Sequence, residues 1–215
     1  MGIIVEILGE TGTGKSTSLR NFEDGECGIF NVAGKPLPFR KRLPMANRAD
    51  YATIDRTLST NGLNCYIIDD AGYLLQFDNF RRAGQKGYDK FVDMAVSFEQ
   101  ILEAAIATSD DTIVYFLMHP DYDVNGRMKT KSIGKMLDEK LCIEGLFPIV
   151  LVSKRDEDGY YFETNSNGAT PAKSPIDMFE PRIDNDLKAV DTRIRKYWNL
   201  EPLTSMPAKK GGKNG

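Results

Sequence analysis

The stretch that decides the fold class is Gly9-Glu10-Thr11-Gly12-Thr13-Gly14-Lys15-Ser16. It fits the pattern G-x-x-x-x-G-K-[ST] at every fixed position. A run of apolar and mostly β-branched residues, 3–8, precedes it, and residues 15–20, which can open a helix, follow it. A buried strand before the pattern and a helix after it are the context in which such a loop binds phosphate.

Each part of this stretch has a chemical reason. Glycine permits backbone conformations that other residues resist, and the N–H groups at the start of a helix attract an anion. Lys15 would bring a positive charge to the β- and γ-phosphates, and the Ser16 hydroxyl would hold Mg²⁺. The residues predicted to contact ATP or ADP are Gly9, Glu10, Thr11, Gly12, Thr13, Gly14, Lys15, Ser16 and Thr17.

A second apolar run, 64–69, ends on an acid at Asp69, and Asp70 follows it. An apolar strand that delivers a carboxylate is typical of the Walker B element, so Asp69 is predicted to contact Mg²⁺ directly or through water. Asp70 is a candidate base for the attacking water. The alternative is that both acids merely cap a helix that starts near Ala71.

The single histidine, His119, follows the apolar run 112–118. The end of that strand would lie beside the nucleotide, so His119 is a candidate for sensing the γ-phosphate. A solvent-facing histidine before Pro120 explains it equally well. The predicted catalytic set is therefore Lys15, Asp70 and His119. One histidine also argues against a histidine-based metal site.

Apolar runs alternate with helical patterns along the rest of the chain. Further strands are predicted at 27–32, 112–118 and 146–153, and helices at 51–60, 89–108, 133–142 and 185–198, with Asp184 or Asn185 as the cap of the last one. Polar segments predict loops at 33–50, 78–88 and 119–132. Asp158-Gly159 predicts a hairpin near the C-terminus. The sequence therefore predicts an α/β fold, with a mostly parallel twisted sheet flanked by helices and a C-terminal β-hairpin.

Composition narrows the class of protein. The chain has 215 residues with 28 basic and 31 acidic side chains, a formal net charge of −3. This excludes a uniformly basic nucleic-acid coat protein and a wholly disordered chain. No apolar run approaches the roughly 20 residues that cross a bilayer. No secretory signal is visible at the N-terminus, so a cytoplasmic protein without membrane contact is expected.

Two groups of basic residues are candidates for further contacts. The segment after His119 carries Arg127, Lys129, Lys131 and Lys135, which are predicted to contact DNA. Solvated loops are the usual fate of such charges, and this alternative stays open. Lys154 and Arg155 would end the strand at 146–153 and are candidates for a trans-acting finger on a neighbouring subunit's γ-phosphate. A hairpin with charged tips explains them equally well.

Several stretches resemble the phage-encoded RecA-like ATPases of the AAA-type, P-loop superfamily that are associated with single-strand annealing and recombination. They are 9–16, 31–39, 66–70 and parts of 129–179, including Lys131-Ser132-Ile133-Gly134-Lys135 and Ala172-Lys173-Ser174-Pro175. The resemblance implies a RecA-like P-loop ATPase domain over 1–204. The small, polar and basic residues at 205–215 predict a flexible basic tail after it. It also implies a homo-oligomeric ring or filament in the cytoplasm of a bacterial host.

The partners implied by the resemblance are single-stranded DNA and a single-strand-annealing or single-strand-binding protein. One departure is that the strand at 27–32 leads into Asn31 with no acid, where RecA proteins often carry a glutamate base. Two alternatives therefore stand beside the ATPase. One is a nucleotide or small-molecule kinase with Arg81-Arg82 in a lid, and the other is a loader or adaptor that binds ATP without hydrolysing it.

Overall fold

The computed structural model describes residues 1–60, 62–132 and 142–205. Its strands are β1 (Ile3–Leu8), β2 (Gly28–Asn31), β3 (Met45–Asn47), β4 (Cys65–Asp69), β5 (Ile113–Met118), β6 (Pro120–Tyr122), β7 (Met128–Thr130), β8 (Ile149–Asp156), β9 (Gly159–Glu163) and β10 (Arg182–Asp184). Its α-helices are α1 (Tyr51–Thr60), α2 (Gly72–Arg81), α3 (Asp89–Ile106) and α4 (Leu187–Trp198). Short 3-10 helices cover Ser16–Asn21 and Ile143–Leu146.

Eight strands form one sheet in the order β10-β9-β8-β1-β5-β4-β2-β3. The six strands from β8 to β3 run parallel, and β9 and β10 add an antiparallel edge. Helices cover both faces, because strands buried on both sides cannot leave either face in water. The α/β class, the mostly parallel sheet and the C-terminal hairpin, which is β8–β9, are confirmed.

Two apolar cores lie on the two faces of the sheet. Helices α1, α2 and α3 pack on one face, where Phe98 and Phe116 are buried. The first 3-10 helix and α4 pack on the other face, where Leu19 and Tyr115 are buried. Consecutive residues of each strand alternate between the two cores, as the period of two requires. The helical stripe predicted for 89–108 is the buried face of α3.

Four sequence predictions were wrong in detail. Residues 45–47 form β3 within a segment predicted as loop, and α2 continues to Arg81 through residues predicted as exposed loop. Segment 119–132 contains the two-stranded hairpin β6–β7. The side chain that caps α4 is that of Asp186, not Asp184 or Asn185. Strands of three residues are too short to show a period of two, which is why β3, β6, β7 and β10 escaped prediction.

Two predicted segments cannot be compared with the structure. The helix predicted at 133–142 and the tail predicted at 205–215 lie almost wholly outside the described residues. Among the helices that the structure describes, none is long and apolar enough to cross a membrane.

The parallel strands place the candidate site. Strands β1, β2, β4, β5 and β8 all point the same way, so their carboxyl ends share one edge of the sheet. In open parallel sheets, ligands bind in the crevice at this edge. The glycine-rich stretch, the two acids and the histidine each follow one of these strands directly.

Candidate functional site

The loop at 9–16 leaves β1 and returns into the first 3-10 helix. Gly12 and Gly14 have positive φ angles of 83° and 99°. A side chain at Gly14 would come within 2.8 Å of the Tyr160 ring, so only glycine fits there. Within the described residues, no acceptor is bonded to the N–H group of Gly12 or Gly14. Backbone donors without partners are what an anion-binding loop offers.

Lys15 lies across this loop. Its Nζ donates to the carbonyl oxygens of Gly9 at 2.6 Å and Glu10 at 3.0 Å. The side chain is buried, and burial lowers the pKa of Lys15 to about 8 against the opposing pull of Asp70 and Asp69. A buried ammonium has lost most of its hydration, so it gains more from a phosphate than a hydrated one would.

Ser16 and Asp69 meet although they are far apart in sequence. The Ser16 hydroxyl donates to Asp69 Oδ1 at 2.9 Å. Asp69 is nearly buried at the end of β4, and burial, with the neighbouring Asp70 charge, raises its pKa to about 6. A carboxylate destabilised in this way would be stabilised by a cation. The hydroxyl and the carboxylate are both hard oxygen donors, which Mg²⁺ prefers.

The described residues contain no group of three or more His, Cys, Asp or Glu side chains that could hold a metal ion. Mg²⁺ that arrives with a nucleotide uses one or two protein ligands, the phosphates and water. The pair Ser16 and Asp69 fits that smaller donor set.

Asp70 has a positive φ angle, and the side chains of His119 and Lys35 lie beside its carboxylate. Its φ is 61°, which turns the chain sharply after β4. His119 Nε2 lies 3.2 Å from Asp70 Oδ1, and Lys35 Nζ lies 2.8 Å from Oδ2. Burial raises the pKa of Asp70, but the hydrogen bonds from His119 and Lys35 outweigh it and lower the pKa below its ordinary value. Each oxygen of the Asp70 carboxylate is therefore engaged by one donor.

His119 connects the two halves of the site. Its Nδ1 lies 3.5 Å from Lys15 Nζ, while its Nε2 faces Asp70. A neutral imidazole with its proton on Nε2 satisfies both contacts, because Nδ1 then accepts from Lys15 and Nε2 donates to Asp70. The position of His119 follows from the end of β5, as the sequence predicted.

Lys35 was not predicted for this site. It lies between β2 and β3, in a segment predicted as a loop with no motif. Its backbone is held by Asn31, whose amide donates to the Lys35 carbonyl at 2.6 Å and accepts from the Lys35 N–H at 3.2 Å. The one signal in the sequence is that Asn31 ends a strand parallel to β4, so residues just after it reach the same edge.

The remaining predicted residues lie around the site. Glu10 and Thr11 are exposed, Thr13 and Thr17 are half-buried, and Ser153 of β8 donates to the Thr13 carbonyl at 2.7 Å. That bond fastens the loop to the sheet. The Tyr122 hydroxyl of the β6–β7 hairpin contacts the Glu10 carboxylate, so the hairpin touches the glycine-rich loop.

Three of the four predicted DNA-contact residues lie on the β6–β7 hairpin or directly after it. Arg127 and Lys129 lie on the β6–β7 hairpin, and Lys131 follows it. Lys135 lies outside the described residues. Asp121 and Asp123 lie on the same hairpin, so its charge is mixed rather than uniformly basic.

The predicted trans-finger residues both have partners within this chain. Lys154 pairs with Glu163 at 2.7 Å. The Arg155 guanidinium lies 5.0 Å from the centre of the Tyr160 ring. Since Tyr160 packs on Gly14, Arg155 is close to the glycine-rich loop of its own subunit.

The carboxyl edge of the sheet therefore combines an open glycine-rich loop, a buried lysine, a serine–aspartate pair and a carboxylate oriented by an imidazole. They supply hydrogen-bond donors that suit a phosphate and oxygen atoms that suit a hard cation, with the Asp70 carboxylate beside them. Comparison with known protein families and with curated proteins finds no match to this chain.

Proposed function

We propose that this protein is a RecA-like P-loop ATPase that binds ATP with Mg²⁺ and hydrolyses it to ADP. The observation that carries the proposal is the 2.9 Å contact of Ser16 Oγ with Asp69 Oδ1, beside the buried Lys15. This contact joins the end of the glycine-rich loop to the end of β4. A phosphate-binding loop and a cation-binding carboxylate need to meet in this way when one ligand carries both phosphate and metal.

Each residue then has a role in hydrolysis. The glycine-rich loop and Lys15 bind the phosphates and stabilise the charge that develops on the γ-phosphoryl group. Ser16 and Asp69 would hold Mg²⁺, which neutralises phosphate charge when bound. Asp70 accepts a proton as water attacks the γ-phosphorus and the bond to the bridging oxygen breaks. His119 keeps the Asp70 carboxylate in place through its Nε2 proton.

The kinase alternative has less support. Arg82 pairs with Asp78 at 3.1 Å and with Asp93 at 3.2 Å, so it fastens α2 to α3. A lid that closes over an acceptor needs a mobile arginine that can reach phosphate. One observation does favour the adaptor alternative: Lys35 and His119 both engage Asp70, and a base held by two donors is less available. An ATP-switched adaptor with little turnover is therefore our second candidate.

We further propose that the β6–β7 hairpin contacts single-stranded DNA through Arg127, Lys129 and Lys131, with Lys135 after them. The Tyr122–Glu10 contact supports coupling, because a nucleotide in the loop would change the surroundings of Glu10. As the resemblance implies, the protein would act in phage-type recombination or replication. It would do so as a ring or filament with a single-strand-annealing or single-strand-binding protein in the host cytoplasm. Arg155 is then the better candidate for a trans finger, since Lys154 is engaged by Glu163.

The test is steady-state ATP turnover with Mg²⁺, with and without single-stranded DNA. We expect turnover that DNA stimulates and that Lys15→Ala lowers at least about 100-fold. Lys90→Ala is the matched control, because Lys90 lies on α3 over the Phe91 ring. ATP binding without turnover would favour the adaptor. Turnover indifferent to DNA would remove DNA as the activator.

A further inference from the structure

The β2–β3 connection sends a second lysine to the carboxyl edge of the sheet. Lys35 Nζ lies 2.8 Å from Asp70 Oδ2 and 4.9 Å from the centre of the Tyr73 ring. The Lys35 side chain is 58% exposed, whereas the Asp70 side chain is 11% exposed. The ammonium therefore reaches a buried carboxylate from the solvent side.

The backbone of Lys35 is held much more firmly than its side chain. Asn31 is buried at the end of β2, and its amide bonds to both the N–H and the carbonyl of Lys35. A further bond from Asn31 to Asn47 Oδ1, at 2.9 Å, fastens the amide to β3. Gly34 enters this clamp with a φ of 69°. These Asn31 bonds fix the position of the Lys35 backbone. They leave the ammonium group able to move from one anion to another.

Asp70 has two ammonium groups near it, Lys35 directly and Lys15 through the His119 ring, and a second carboxylate, Asp69, beside it. A terminal phosphate carries up to two negative charges and three acceptor oxygens, so it is a stronger partner for an ammonium than one carboxylate. Lysine is a compact charge on a flexible four-carbon stem and can exchange one anion for another.

We propose that Lys35 is a second phosphate-binding lysine, supplied by the same subunit, that leaves Asp70 for the γ-phosphate of a bound nucleoside triphosphate. This inference rests on the proposed function. The exchange forms an ammonium–phosphate contact and breaks the ammonium–Asp70 contact. It leaves Oδ2 of Asp70 available to accept a proton from water. Without a triphosphate, Lys35 occupies Asp70. When a triphosphate binds, Lys35 leaves and Asp70 can act as the base for hydrolysis.

A diphosphate offers no γ-phosphate, so Lys35 should distinguish ATP from ADP. The loop and Lys15 hold the β-phosphate in either nucleotide. Removing the Lys35 charge should therefore weaken binding of the triphosphate about 10-fold and leave diphosphate binding within 2-fold. A residue that only supports the local fold would change both affinities by the same factor.

The test is calorimetric titration of the full chain with Mg²⁺ and either ADP or a non-hydrolysable ATP analogue. The variants are Lys35→Met, Lys35→Arg and the control Lys41→Met, whose lysine lies in the same connection but pairs with Glu23. We expect Lys35→Met to lose the preference for triphosphate and Lys35→Arg to keep most of it. Lys41→Met should behave as wild type. Thermal melts of each variant confirm that it is folded.

Two outcomes overturn the inference alone. The first is an unchanged ratio of triphosphate to diphosphate affinity in Lys35→Met. The second is an equal loss of both affinities. In either case wild type still binds nucleotide, so the proposed function survives. Failure of wild type to bind either nucleotide would instead overturn the proposed function, and this inference with it.

Discussion

Two buried polar networks lie at opposite edges of the same parallel sheet. At the carboxyl edge, Lys15, His119, Asp70 and Lys35 form a chain of contacts between 2.8 and 3.5 Å. At the amino edge, Arg195 of α4 pairs with Asp191 one turn earlier. Both edges place charged side chains beside strand ends. The edges differ in how completely those charges are satisfied.

The amino-edge network is closed. Every N–H of the Arg195 guanidinium has an acceptor: two bonds go to Asp191, and three go to the carbonyls of Asn64, Asp111 and Glu201. Asp191 also accepts from the Tyr115 hydroxyl at 3.0 Å. Buried charges without spare hydrogen-bonding capacity hold a fold and leave nothing for a ligand.

The carboxyl-edge network is open. Gly12 and Gly14 have unbonded N–H groups within the described residues, and Lys35 is half in solvent. Asp70 has a positive φ that aspartate adopts only at some cost. Unused donors and a strained turn lie at this edge, whereas every N–H of the Arg195 guanidinium has an acceptor. The comparison therefore separates a charge cluster with every donor satisfied from the candidate functional site.

The largest effect is expected from removing one member of the Arg195 network at the amino edge. Asp191→Ala should lower the free energy of unfolding by about 3–5 kcal/mol, because it leaves the buried Arg195 charge uncompensated. Urea denaturation measures the change. The control is Asp156→Ala, which removes a more exposed pair with Arg182 and should cost much less than Asp191→Ala. Similar losses in the two variants would show that the amino edge is not a closed structural unit.

At the open edge the same kind of change should affect turnover and not stability. Asp70→Asn should lower ATP turnover by about 100-fold, because an amide cannot accept the proton from water. Unfolding free energy should stay within about 1 kcal/mol, since asparagine tolerates the positive φ and can still bond to His119. Asp70→Ala should lose stability as well, because alanine resists that φ. Full turnover in Asp70→Asn would exclude Asp70 as the base.

Much of the fold could be predicted because its information is local. The apolar composition of runs such as 112–118 predicts buried strands. The helical spacing of apolar residues predicts α3. The short strands could not be predicted, since β3 and β10 exist only through pairing with β2 and β9. Tertiary hydrogen bonds, not propensity, decide such elements.

The candidate site divides in the same way. Lys15, Ser16 and Asp69 lie in motifs whose spacing reflects the chemistry, so their meeting could be predicted from the sequence. Lys35 could not, because its position depends on the Asn31 clamp and on the order of the strands. In the sequence, the i,i+4 spacing of Asp191 and Arg195 is that of an ordinary ion pair on a helix surface. Only the packed structure shows that this pair is buried.

Glu6 tests whether an incompletely hydrogen-bonded carboxyl group costs stability where no ligand is expected. This residue is fully buried in β1, and Thr130 donates to its Oε1 at 2.6 Å. Its Oε2 has no partner among the described residues. Burial raises the pKa of Glu6 to about 8, although the Thr130 bond opposes this. The folded protein therefore holds a proton on Glu6 at pH values where the unfolded chain has lost it.

Stability should consequently fall as pH rises from about 4.5 to 8, because over this range folding requires proton uptake. In Glu6→Gln this contribution is absent. We expect the variant to gain roughly 3–4 kcal/mol on wild type between pH 5 and pH 8. Urea unfolding at several pH values measures the difference. Parallel pH profiles for the two proteins would show that Glu6 is not protonated in the fold.

The smallest expected effect concerns the helix that joins the two edges. Helix α4 starts beside the glycine-rich loop, where Asn185 approaches Gly14, and ends in the Arg195 network. Asp186 caps it by accepting from the N–H groups of Lys188 and Ala189. Asp186→Ala should lower the unfolding free energy by about 1 kcal/mol, whereas Asp186→Asn should retain most of it.

Nucleotide binding distinguishes two ways in which α4 can connect the edges. Asn185 is buried and bonded to Arg20, so the position of the loop should survive loss of a cap one residue later. Asp186→Ala should therefore bind ATP as wild type does at temperatures well below its melting point. A lower unfolding free energy with unchanged ATP affinity would mean that the start of α4 contributes to overall stability and does not set the shape of the glycine-rich loop. Weaker binding in the folded variant would mean that the start of α4 sets the shape of the loop.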